Sequence, residues 1–283
     1  MNKQKFMNQL VKKPFSRNFQ IFATSNFLKQ NSRVASSKNI KFFQKLINEI
    51  AQLKIDYPQN REFLAAMIVI PRELYAELSG NPFGQGINGN LNPFDEVFKT
   101  AIYIDEQSFL SRNDWSEIDI LHEISHIVHG AFFGIYPFDE GFADALPLYV
   151  LDLEKTFPEH VAKIRTMSPR DFLSLAQIRR RGMNPPREIK QNLPIALRKS
   201  YIVIYLIVRG ILQRLTMRNG GDKVAALNEF LRQFREFQPL ANEGKLTDRT
   251  IYDFTELRGR ESWKTLQTEA RNEICQIKFR SQK

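Results

Sequence analysis

Apolar residues recur along this chain with different periods, and the switches between them mark the elements. In NIKFFQKLINEIAQL, Ile40, Phe43, Ile47 and Ile50 are three or four apart, which predicts an amphipathic helix. AAMIVI, at 65–70, is a short unbroken apolar run ended by Pro71, and it predicts a buried strand. GNPFGQGINGNLNP, at 80–93, is rich in turn formers and predicts a loop. KTAIYI, at 99–104, predicts a second strand, expected at the sheet edge where an extended substrate would pair. The helical period then returns: Ile118, Leu121, Ile124 and Val128 share a face. Asp114 is the expected N-cap, Glu117 completes a capping box, and Gly130 is the expected stop.

The second half of the chain is patterned for helices. SPRDFLSLAQIRRRG, at 168–182, has Ser168 to cap, Pro169 and Asp171 in the first turn, and Gly182 to stop. PIALRKSYIVIYLIVRGILQRL, at 194–215, is the most hydrophobic helix and is expected to be buried. After NGG, DKVAALNEFLRQFREF at 222–237 predicts another helix. The fold class is therefore α+β, mostly helical. It has a strand-containing part at 39–130 and a helical part at 131–283, preceded by a segment, 1–38, of different composition.

Charge changes the picture chiefly by where it sits. The formal excess is +10 over 283 residues. Residues 1–48 hold ten Lys or Arg and no acid, so the remaining 31 basic residues meet 31 acidic ones. A neutral body argues against nucleic acid as a partner. Residues 1–38 are basic and acid-poor, a composition that fits either an organellar, mitochondrial-type import segment or a solvated basic extension of a cytoplasmic protein. No apolar run is long enough for a secretory signal or a transmembrane helix. The single cysteine, Cys275, excludes an internal disulfide. Gly84, Gly86 and Gly89 match G-x-G-x-x-G, but NLNP follows and opens no helix, so no dinucleotide site is expected.

The chemistry concentrates in HEISHIVHG, at 122–130, which holds three of the four histidines. His122-Glu123-x-x-His126 is an H-E-x-x-H pattern. On a helix its two imidazoles lie about 6 Å apart in axial rise, on one face, and converge on one Zn²⁺. Glu123 then serves as general base toward the water that the metal polarises. His129 is about 10.5 Å of rise from His122, too far to share a tetrahedral ion with both others on a straight helix. His160 is available but sits on an undistinguished segment. The preferred third ligand is Glu140, fourteen positions after His126, in YPFDEGFADALP. It lies near a helix start after Pro137, with Asp139 as the expected cap. Asp144, one turn on, is placed to hydrogen-bond a ligand histidine and fix its ring.

HEISHIVHGAFFGIYPFDEGFADAL resembles the gluzincin zinc metallopeptidases, which pair H-E-x-x-H with a downstream Glu in an E-G-x-A-[DE] helix. It is most similar to their peptidase-MA-like branch, over roughly residues 95–270. The resemblance implies a zincin-like metallopeptidase fold over 39–283, with a small sheet before the active-site helix. It implies zinc on His122, His126 and Glu140, Glu123 as base, Asp144 behind the ligands, and a peptide or protein substrate. YLIVRGILQRLTMRNGGDKVAALNEF looks like the branch's next helix, and Tyr205 stands at its Tyr position, implying an oxyanion donor. Tyr201, one turn earlier, is its rival. A chain of this family can also be a catalytically silent subunit that binds or assembles. The exopeptidase motif G-A-M-E-N of related aminopeptidases is absent, and Pro147 is expected to end or kink the Glu140 helix.

Overall fold

The computed structural model describes residues 9–14, 19–30, 65–71, 86–88, 101–106, 121–123, 125–126, 136–168, 170–172, 193–242 and 263–279. It also describes the isolated positions 45, 48, 49, 52, 73, 74, 117 and 118. The chain divides into two compact units, Met1–Ala131 and Phe132–Lys283. The architecture is α+β with a helical majority.

The first unit carries a five-stranded sheet of order β1-β2-β3-β5-β4. Its strands are β1 (Leu10–Pro14), β2 (Phe19–Thr24), β3 (Ala65–Ile70), β4 (Gly86–Asn88) and β5 (Ala101–Asp105). β1 and β2 are antiparallel, β2 and β3 parallel, β3 and β5 parallel, and β4 and β5 antiparallel. In β3, the consecutive residues Ile68, Val69 and Ile70 are all buried, as are Ile21, Phe22 and Ala23 in β2. Burial of neighbours whose side chains point to opposite faces means that both faces are covered there, as parallel strands require. β2 runs into α1 (Ser25–Gln30), whose start is capped by Thr24: its hydroxyl accepts from the Phe27 amide at 3.2 Å.

Two sequence expectations change here. Residues 10–30 were expected within a basic extension, yet they form two strands and a helix of this sheet. The adjacent Lys12 and Lys13 break any alternation in LVKKP, so the sequence hides a strand that pairing with β2 makes. KTAIYI is likewise no edge strand. Three residues of the glycine-rich loop form β4 and pair with β5, from Gly86 opposite Ile104 to Asn88 opposite Ile102. The edges are β1 and β4.

The second unit is helical: α2 (Tyr136–Ala145), a π turn (Leu146–Val150), a 3₁₀ turn (Leu153–Thr156), α3 (Pro158–Thr166), α4 (Leu193–Arg218), α5 (Lys223–Asn242) and α6 (Trp263–Cys275). α4 is its centre, packing against α2, α5 and α6. Residues 202–212 are buried without a break, so this helix is covered all round, as its composition predicts. Phe138 and Phe142 of α2 meet Phe234 and Phe230 of α5, with ring centroids 4.7 and 5.9 Å apart. Among the described residues, no helix is long and apolar enough to cross a membrane.

The expected 168–182 helix lies mostly outside the described residues. At its start, the Asp171 carboxylate accepts from the amide and hydroxyl of Ser168, at 2.8 and 3.1 Å. Asp114, Gly130 and the remainder of the 40–53 helix also lie outside them.

Candidate metal centre

Residues 121–123, 125 and 126 are helical, and the Ser125 hydroxyl donates to the Leu121 carbonyl one turn back at 2.8 Å. This local geometry brings His122 and His126 onto one face. Their Nε2 atoms are 3.0 Å apart, with the rings edge to face at a centroid distance of 4.7 Å. Two ligands of one tetrahedral ion at 2.0–2.1 Å stand about 3.3 Å apart, so the pair is spaced to share an ion. Both rings are buried, at 8% and 5% exposure.

Glu140 completes the set. One ligand atom from each of His122, His126 and Glu140 lies within 4.8 Å of the other two, a group that could hold a metal ion. Glu123 is not among them; it is half-buried and directly follows the first histidine. His129 lies outside the described residues. His160 is buried on α3, 5.5 Å from the ring of Tyr205 between centroids, and does not join the group.

The helix carrying Glu140 begins earlier than the sequence suggests. Pro137 takes the second position of α2, where a missing N–H and a fixed φ cost nothing. Asp139 is therefore inside the first turn rather than the cap. Gly141 is there because α4 leaves no room: a Cβ on it would sit 2.5 Å from Val208 Cγ2 and 2.8 Å from the Ile204 carbonyl. Asp144 follows one turn after Glu140 and is buried. At Pro147 the α pattern gives way to the π turn, because proline has no N–H for the carbonyl four residues back.

Tyr205 is fully buried, and its hydroxyl donates to Glu154 Oε1. Arg209, one turn on, donates to both oxygens of the same carboxylate: Nε to Oε1 at 2.5 Å and Nη2 to Oε2 at 3.2 Å. Its Nη1 donates to Glu273 on α6 at 2.7 Å. Burial first, and then the Glu154 charge, push the Tyr205 phenol well above its ordinary range, so it keeps its proton and donates. The side chain of Tyr201 lies outside the described residues. Glu154 and Arg209 were missed from sequence. The available signal was Arg209 itself, a charge inside IVIYLIVRGIL, which a buried helix tolerates only beside an acid.

No protein-family model and no curated protein matches the chain.

Proposed function

We propose that this chain is a zinc-dependent metallopeptidase of the gluzincin type, built on a zincin-like fold. The observation that carries the reading is the convergence of His122, His126 and Glu140 on one point. The likeness of H-E-x-x-H and E-G-F-A-D to the gluzincin motifs supports it. Two imidazoles with one carboxylate suit Zn²⁺ rather than calcium or magnesium, which prefer oxygen alone. Three protein ligands leave one position open, as catalytic zinc sites do.

Zn²⁺ held there would supply a Lewis acid for the substrate carbonyl and lower the pKa of a water. Glu123 is the general base. It accepts one proton from that water as the oxygen bonds to the carbonyl carbon. It then delivers the proton to the amine nitrogen as the C–N bond breaks. Asp144 steadies a ligand imidazole. Tyr205 takes no oxyanion role in this reading, because its hydroxyl proton is directed to Glu154.

The test compares wild type with Glu123→Gln for zinc content and for cleavage of a peptide library. The expected result is zinc retained and cleavage lost by at least about a hundredfold, the lower range of general-base contributions. Zinc bound at full affinity by Glu140→Ala contradicts the ligand set. Zinc bound by both proteins with cleavage by neither points instead to a silent binding or assembly subunit.

A further inference from the structure

The chain segment that carries Glu140 meets α4 at three places. From Glu140 the chain runs through α2, the π turn and the 3₁₀ turn to Glu154, without leaving helical or turn structure except at Asp152. At the near end, Gly141 presses onto Ile204 and Val208 of α4. In the middle, the Tyr149 ring lies between two cations, with Arg209 Cζ 4.8 Å and Lys223 Nζ 4.4 Å from its centroid. At the far end, Glu154 is held by Tyr205 and Arg209, again of α4.

We propose that the buried Glu154–Tyr205–Arg209 clamp is a positioning device for the metal centre: it sets the register of the Glu140 arm on α4. The geometry fits this role better than a purely stabilising one. Ile204 and Val208 receive Gly141, while Tyr205 and Arg209, each the next residue, receive Glu154. One pair of turns of α4 therefore grips both ends of the arm. Asp144, one turn after Glu140, is near enough for its charge to act on the Tyr205 phenol. A buried ion pair adds little net stability against an apolar isostere, and its best-attested use is to select one register. Without the Tyr205 hydroxyl, Glu154 keeps Arg209 but loses one of the two donors to Oε1, and the arm gains freedom to slide.

The inference rests on the metal-centre reading and is tested on the full-length chain with a readout that stability alone does not move. Zinc affinity is measured by competition with a chromophoric chelator. The visible absorption of the Co²⁺-loaded protein reports ligand geometry. Tyr205→Phe is expected to fold, to bind zinc about tenfold more weakly, the lower range for groups supporting zinc ligands, and to shift the Co²⁺ bands. Glu154→Gln keeps the shape and is expected to shift them in the same sense; it decides the matter should Tyr205→Phe not fold. Ile274→Val, a buried side chain on α6, serves as the stability control and is expected to leave both readouts unchanged. Wild-type affinity and an unaltered Co²⁺ spectrum in Tyr205→Phe overturn the inference alone. So does an equal loss in Ile274→Val. A wild-type chain that takes up no zinc, or a His126→Ala chain that binds it as well, overturns the metal-centre reading and the clamp's role with it.

Discussion

Glu140 and Gly141 are adjacent and serve opposite needs. In the proposed centre Glu140 carries a ligand carboxylate, while Gly141 lets α2 pack closely on α4. The sequence made Glu140 legible, because a carboxylate at a helix start downstream of H-E-x-x-H is what a two-histidine site lacks. Gly141 was visible only as a motif letter, and the helix it presses against becomes known only with the fold. Replacing it by alanine puts a methyl 2.5 Å from Val208 Cγ2 and 2.8 Å from a backbone carbonyl, closer than either can yield without moving α2 or α4. Overpacking of this kind costs about 1–3 kcal/mol. Gly141→Ala is expected to lose that much in urea unfolding, and Val208→Ala in the same chain to recover part of it. An unchanged midpoint would mean that α2 and α4 are not held at this distance. Glu154 shows the opposite limit of sequence reading. LDLEKTF offers nothing to distinguish it, and only Arg209, a charge in an apolar helix, hinted that an acid must lie opposite.

At the scale of elements, those with a local signature were legible: AAMIVI is β3, and KTAIYI at 99–104 falls on β5 at Ala101–Asp105. α4 and α5 were expected at 194–215 and 222–237, and they run Leu193–Arg218 and Lys223–Asn242. Their junction explains why the break was readable. The Gly221 amide donates to the Thr216 carbonyl at 2.8 Å and the Gly220 amide to Met217 at 3.3 Å, closing α4 with Gly220 at φ 65°. Asp222 then opens α5: its Oδ1 accepts from the Val224 and Ala225 amides at 2.8 and 3.0 Å. Local chemistry fixes both ends, so local sequence reveals them. Asp222→Ala is expected to cost about 1 kcal/mol in thermal or urea unfolding, and Asp222→Ser to restore most of it. Equal stability of the alanine variant would show that the N–H groups find water as readily as the carboxylate. β4 had no such signature. Three residues in a loop become a strand only because β5 lies beside them, and that partner is known from the fold alone. Pro147 is intermediate. Its expected interruption of the α pattern is observed, while the π turn it leads into, and the Asp152 residue at φ 58° beyond it, are set by packing.

For the whole molecule, the decisive question is what residues 1–38 are for. Their composition suits an import segment or a solvated tail, and both readings make them dispensable to the fold. The sheet argues otherwise. β2 pairs with β3 in parallel from Phe19 opposite Ala65 to Phe22 opposite Ile68, and β1 pairs with β2 along its length. Ile21, Phe22, Ala23 and Phe27 are buried, at 7% exposure or less. Removing residues 1–38 takes away two of five strands and α1 together. It would leave β3 as an open edge carrying Ile68, Val69 and Ile70, an apolar run with unpaired backbone groups that templates association. Burying Ile21, Phe22 and Phe27 is worth roughly 1.5–3 kcal/mol each, comparable in sum to the whole stability of a domain. The deleted chain is therefore expected to be insoluble or to elute as an aggregate in size-exclusion chromatography, while the full chain remains soluble. Adding the 1–38 peptide separately gives little rescue, because parallel pairing needs the crossover that tethers β2 to β3. Should the deleted chain instead be soluble and keep the near-ultraviolet circular dichroism of the full chain, the two strands are an accessory to the sheet.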